Sequence, residues 1–275
     1  MNSNTINAAL NGIRGDLTIP VTALNRTQGF VVAANGVVNM QKKRADGALD
    51  VLPFSQTMLE TRCSPCNYRP ELYRVRQPET WHPAVRSLMG AVDSKARLWL
   101  LEQGGKALSG IFAKLDFLTY LSGRAGAGKS SFLKALRIVG GDYAGFIDRK
   151  AFRNNSGTNF SLAAYEYVRM AFVEELPEDF INVDSVKDLV NASQLTIEKK
   201  FEQPRVIPME AHTFITANVL PRVRQNDEGL WRRQRALAFT KIFVETQQEL
   251  EAGGVKPWKQ RVVVLGVGVG RTRVG

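Results

Sequence analysis

Eight consecutive residues constrain this chain more than any other feature. Gly123-Arg124-Ala125-Gly126-Ala127-Gly128-Lys129-Ser130 satisfies G-x-x-x-x-G-K-[ST], with the apolar run Leu115-Asp116-Phe117-Leu118-Thr119-Tyr120-Leu121 before it and Ser131-Phe132-Leu133-Lys134-Ala135-Leu136 after it. The first reads as a strand and the second as the start of a helix, and strand, glycine-rich loop and helix in that order are what a phosphate-binding loop requires. Glycines let the backbone curl until successive N–H groups point inward, and the helix N-terminus adds a favourable dipole. In such a loop Lys129 neutralises the β- and γ-phosphates and Ser130 ligates magnesium, with Ser131 closing the cradle.

The rest of the chain is patterned to surround such a loop. Phe117–Leu121, Val168–Val173, Thr213–Ala217 and Ala236–Phe239 read as short buried strands between mixed segments. Strands alternating with helical stretches predict an α/β core with a largely parallel sheet. Upstream, Asn35-Gly36 lies between Phe30-Val31-Val32 and Val37-Val38 and predicts a hairpin turn in a small β-rich piece. Pro65, Pro70, Pro78 and Pro83 mark residues 59–83 as loop or linker, and apolar positions from Val85 to Leu100 recur at helical spacing from Ala84 onward. The expected division is an N-terminal segment over 1–58, a linker and helical region over 59–112, an ATPase-type core over 113–245 and a basic tail over 246–275.

A nucleotide triphosphatase needs carboxylates at the end of a neighbouring strand. Met170-Ala171-Phe172-Val173 runs into Glu174-Glu175. Glu174 suits a magnesium ion, and Glu175 suits the attacking water, which it would orient and deprotonate. Strand alternation is expected to point the two in opposite directions. The strand His212-Thr213-Phe214-Ile215-Thr216-Ala217 ends in Asn218, whose amide can contact the γ-phosphate or the lytic water. Farther on, Arg232, Arg233 and Arg235 offer planar, permanently charged guanidinium groups, one of which can stabilise a dissociating phosphate.

Composition narrows the partners. Lys and Arg total 37 against 26 Asp and Glu, a formal charge of +11, which favours polyanions and nucleic acid first. No stretch approaches the ~18 apolar residues of a membrane span, and the N-terminus has no secretory pattern, so a soluble cytoplasmic protein is expected. Cys63-Ser-Pro-Cys66 lacks a second pair of ligands for structural zinc and reads as a loop thiol pair.

Taken in order, GRAGAGKS, MAFVEE, FITANVLPR and DEGLWRRQRALAF resemble the ATPase motifs of the superfamily 3 helicases, in the branch of phage and plasmid primase-helicases. The resemblance spans roughly residues 29–245, with NGVVNM and GGDYAGF also similar. It implies an AAA+-like P-loop NTPase core with a parallel central sheet, preceded by a small β-hairpin and helical region. It implies ATP and Mg2+ as cofactors, and a homo-oligomeric ring, commonly a hexamer, that draws single-stranded or forked DNA through its pore. It also implies a primase acting in trans, and a role in phage, prophage or plasmid replication in a bacterial host. By motif match Glu174-Glu175 are the acidic pair, Asn218 the sensor, and Arg233, with Arg232 close behind, the finger offered to a neighbour. Lys199 and Lys200, in the stretch Thr196-Ile197-Glu198-Lys199-Lys200-Phe201, match the DNA-gripping pore hairpin, Lys200 best. Two other readings stand beside a helicase: an AAA+ remodeller of proteins, and a truncated nucleotide- and DNA-binding fragment that does not unwind.

Overall fold

A computed structural model of the chain describes residues 24–71, 88–111, 116–152, 159–176, 181–191, 193–221, 228–244 and 263–264. Its centre is a five-stranded parallel sheet of β4 (Leu118–Ser122), β5 (Ala144–Phe146), β6 (Met170–Val173), β9 (His212–Ala217) and β10 (Gln234–Ala238). The spatial order is β10-β4-β9-β6-β5, every pair parallel. The strand before the glycine-rich loop therefore lies between β9 and β10.

Both faces of that sheet are covered, which explains strands of nearly continuous apolar residues rather than alternating ones. Leu121, Phe172 and Phe214 face one side, where they pack with Leu100 and Ala107 of α1 (Ser94–Ser109) and Phe132 and Leu133 of α2 (Lys129–Gly140). Tyr120, Ala171, Val173 and Ile215 face the other, against Val186 and Leu189 of α3 (Val183–Asn191) and Leu230 of α4 (Glu228–Arg232). The outcome is three layers, helix on sheet on helix.

Upstream, β1 (Phe30–Ala33), β2 (Gly36–Lys43) and β3 (Leu49–Leu52) form an antiparallel meander. Ala33 pairs with Gly36, so the two-residue turn is Ala34-Asn35, one residue earlier than the expected Asn35-Gly36. The asparagine instead holds a distant segment. Its side chain takes the N–H of Tyr68 at 2.9 Å and gives a hydrogen bond to the Tyr68 carbonyl at 2.8 Å. Residues 61–68, expected as linker, are thereby docked along the meander, with Ser64 bridging Ala33.

The helix expected from Ala84 is helical at Leu88 and Met89 and then breaks at residues 90–93. Residues 84–87 lie outside the described residues, and α1 starts at Ser94 because Asp93 caps it, its carboxylate accepting from the N–H groups of Lys95 at 2.9 Å and Ala96 at 3.4 Å. The apolar spacing runs across that cap and hides it. The edge strand β5 is absent from the sequence pattern, since three residues carry no readable period. Beyond Val244 only β12 (Val263–Val264), beside β11 (Phe243–Val244), is described, so the expected tail over 246–275 lies almost entirely outside the described residues.

Candidate functional site

Backbone geometry at the loop after β4 follows from its glycines. Gly123 has φ +151°, and a Cβ there would sit 2.5 Å from the Phe239 carbonyl oxygen. Gly128 caps α2 at φ +87°, with Leu88 and Phe243 each 3.0 Å from where a Cβ would lie. No larger residue fits either position without moving its neighbours, so the loop is bound closely on the side away from solvent.

Lys129 opens α2 and is buried. Its ammonium donates to the Gly123 carbonyl, to the Arg124 carbonyl at 2.9 Å and to Asn218 Oδ1 at 3.0 Å. Burial pulls its pKa below the ordinary value, and the Glu175 carboxylate opposes that pull. A cleft of about 220 Å³ lies over the loop, lined by residues 125–131 together with Glu175, Thr216, Ala217 and Asn218. Residues 89 apart in sequence, Lys129 and Asn218, meet here because β4 and β9 are neighbours in the sheet.

The acidic pair departs from simple alternation. Met170 and Phe172 face the α2 side, so regular strand geometry carries Glu174 to that side too. It would carry Glu175 to the opposite face. Instead Glu175 adopts φ +53° and lines the cleft, its N–H held by Thr216 Oγ1 at 2.9 Å. A positive φ at a non-glycine residue costs on the order of 1 kcal/mol or more and tends to mark functional sites. Glu174 Oε1 is buried and has no hydrogen-bond partner among the described residues. Thr216 escaped the sequence reading, since only its place beside the strand end distinguishes it from a core threonine. Arg149, which donates to the Glu175 carbonyl at 3.4 Å, escaped it as well, because no motif spacing points to it.

The two arginines lie elsewhere. The Arg233 carbonyl accepts from the N–H of Leu118, the first residue of β4, whereas the phosphate loop follows its last. Five residues of strand, roughly 15 Å, separate Arg233 from the cleft of its own chain. Its guanidinium is held by Asn191 Oδ1 at 3.1 Å and the Gly229 carbonyl at 2.7 Å, and Arg232 beside it is exposed.

Between β6 and β9 a two-stranded antiparallel hairpin projects, β7 (Gln194–Ile197) and β8 (Arg205–Pro208). Lys199 pairs with Glu166 at 2.7 Å, and Lys200 is exposed at the tip beside Phe201. Cys63 and Cys66 are free thiols, and among the described residues no group of three or more His, Cys, Asp or Glu could hold a metal ion. Among those residues no helix is long and apolar enough to cross a membrane.

Fold and cleft define an α/β P-loop chain. Residues 121–233 match a family of unknown function (DUF5906). Over 158 residues the chain is 25% identical to a helicase-named protein of Acanthamoeba polyphaga mimivirus, a match covering 56% of this chain and 16% of that protein. An apo structure of the NrS-1 C-terminal region is 13% identical with a TM-score of 0.47, covering 79% of this chain and 60% of that one. JCV helicase with a bound small molecule is 13% identical with a TM-score of 0.38, over 55% and 43%. The chain thus spans less than two thirds of each of these relatives. In its motifs and its mimivirus relative it resembles a superfamily 3 helicase domain.

Proposed function

We propose that this chain is an ATP-driven motor that moves on single-stranded DNA as part of a ring, and that it serves DNA replication of a phage or plasmid in the cytoplasm of a bacterial host. The observation that carries the nucleotide half of this reading is the convergence of Lys129, Asn218 and Glu175 on one cleft at the end of β4 and β9.

The residues present fit ATP and Mg2+. A basic side chain and a turn of backbone N–H groups suit phosphates, and the Ser130 hydroxyl at the cleft suits a hard cation, with the buried, unpartnered Oε1 of Glu174, outside the cleft lining, as a second oxygen. The cation, when bound, neutralises charge on the phosphate oxygens. Around it, Lys129 holds the β- and γ-phosphates, Asn218 senses the γ-phosphate, and Glu175 takes the proton of the attacking water. The displaced backbone brings the Glu175 carboxylate to the cleft.

The ring half of the reading rests on Arg233. A group roughly a strand-length from its own cleft cannot act there, but a head-to-tail neighbour would bring it to the next subunit's phosphates, and such contacts close only with ring symmetry. Lys200 at the hairpin tip would then face the ring's channel and grip phosphates without reading sequence. A replicative role and a primase partner in trans rest on the motif resemblance.

The test is ATP turnover by the purified chain with and without single-stranded DNA, measured beside its mass in solution. Turnover stimulated by DNA in a ring-sized species is expected. Stimulation by an unfolded polypeptide but not by DNA would refute the DNA motor in favour of a protein remodeller.

A further inference from the structure

Phe201 meets two costs at once. It is fully exposed, at 105% of its reference area, whereas Phe132, Phe152, Phe172, Phe214 and Phe239 are buried. It also takes φ +65°, a left-handed conformation that is a genuine outlier for a bulky aromatic. Folding gains nothing from either, and such outliers tend to mark places where function uses the strained conformation.

The hairpin is braced so that this tip projects. The carboxylate of Glu166, 6% exposed, pairs with Lys199 at 2.7 Å and with Arg205 at 2.7 Å. Lys199 follows β7 and Arg205 opens β8, so one buried carboxylate ties both legs. The Glu202 N–H closes a turn on the Lys199 carbonyl at 3.1 Å, between the legs. Lys199, which the motif match placed on DNA, is committed to this brace. Lys200 and Phe201 are left at the turn, an exposed cation next to an exposed aromatic face.

A cation and a π-face one residue apart fit a polyanion whose repeating unit presents its own planar face. Single-stranded nucleic acid is such a polymer. A duplex hides the faces in its stack, and polyphosphate has none. We propose that Phe201 is a base-stacking platform, its ring lying on an unpaired nucleobase while Lys200 takes the adjoining phosphate. The inference rests on the DNA-motor reading and goes beyond it, because it gives the hairpin a preference for bases where a phosphate grip alone has none.

The experiment compares binding of the full chain, with a non-hydrolysable ATP analogue, to oligothymidylate and to an abasic deoxyribose-phosphate strand of the same length. The unsubstituted chain should bind the base-bearing strand about tenfold more tightly, the order expected for one stacked base. Phe201→Ala should erase that preference and leave the abasic affinity unchanged, and Phe201→Trp should restore it. Lys200→Ala should weaken both strands alike and lower the salt dependence by about one phosphate contact. Phe201→Ala weakening both strands equally, or shifting the mass of the oligomer, would overturn the stacking role and make Phe201 a contact between subunits. Binding of both strands with equal affinity by the unsubstituted chain would overturn this inference alone. Binding of neither strand would overturn the DNA-motor reading with it.

Discussion

The meander and the sheet core are joined by a buried charged cluster, and removing the acid that ion-pairs within it, Glu60, gives the sharpest structural test. Glu60, with its side chain 2% exposed, meets Arg62 Nε at 2.5 Å through Oε1. Its Oε2 lies 3.1 Å from Arg62 Nη2 and 3.9 Å from Arg169 Nη2. Arg169 comes from the turn just before β6, is 1% exposed, and is lowered in pKa chiefly by that burial. Both guanidinium groups stack over the Tyr143 ring, at 5.0 and 4.6 Å. Glu60→Gln would leave two buried cations without their ion-pair partner, with only the more distant Glu210 acting on Arg169, a change that costs about 3–5 kcal/mol in comparable settings. The lower end is expected, because carbonyls continue to satisfy the arginines: Tyr167 and Asn25 accept from Arg62, and Phe30, Leu108 and Thr27 from Arg169. About 3 kcal/mol corresponds to a melting temperature lower by roughly 6–12 °C for a chain of this size. Urea unfolding of both proteins measures it, with Asp50→Asn as control, since the Lys42–Asp50 pair at 3.2 Å is largely exposed on its lysine side and worth under about 1 kcal/mol. Amide exchange should show the meander opening first. A loss no larger than the control's would refute the view that Glu60 neutralises the cluster.

Lys129→Ala is expected to abolish ATP binding in a calorimetric titration, since the ammonium is the cation of the cleft; unchanged affinity would remove the site. Arg233→Ala should retain ATP binding yet lose turnover by about a thousandfold or more, and mixing it with Glu175→Gln subunits should restore part of the rate; no recovery at any ratio argues against a shared site. His212, buried and hydrogen-bonded to Thr119 at 2.8 Å, is pushed down by desolvation from 6.5 to about 3. Below pH 6.5 the unfolded chain takes up a proton that the folded one refuses, so stability is unaffected above that pH and falls by about 1.4 kcal/mol per unit towards pH 3; denaturant midpoints across that window should lose this contribution in His212→Gln.

The parts of the molecule legible in the sequence are those where local pattern and tertiary role coincide. The phosphate loop declared itself because glycine spacing, a strand before and a helix after all serve one turn. β6 declared itself because a strand covered on both faces is a nearly continuous apolar run, and β9 because Phe214-Ile215 sits among β-formers such as Thr213 and Thr216. What stayed hidden was set by distant partners. The turn at Ala34-Asn35 is shifted because Asn35 is used to hold Tyr68, 33 residues away, rather than to make a left-handed turn position. Arg169 reads in the sequence as a polar interruption of a strand, and only the fold reveals three backbone carbonyls and a tyrosine ring waiting for it.

Glu175 and Phe201 show why the remaining gaps fall at the sites. Both are non-glycine residues at positive φ, one at the end of a strand in the cleft and the other at the tip of a hairpin. Sequence pattern presumes relaxed backbone: alternation after β6 sends Glu175 away from the nucleotide, and hydrophobicity sends Phe201 into a core. In each case the fold overrules the local preference with a nearby fixed group. Thr216 holds the Glu175 N–H at 2.9 Å, and Glu166 binds the hairpin legs on either side of Phe201. Strain of this kind persists only when its surroundings over-determine it. Relieving it should therefore alter position before stability. Thr216→Val, which removes the anchoring hydroxyl while keeping the volume, should let Glu175 relax from the cleft and slow turnover more than it lowers the unfolding midpoint. An equal effect on both would mean that Thr216 is a core residue and that the displaced backbone of Glu175 has no part in the chemistry.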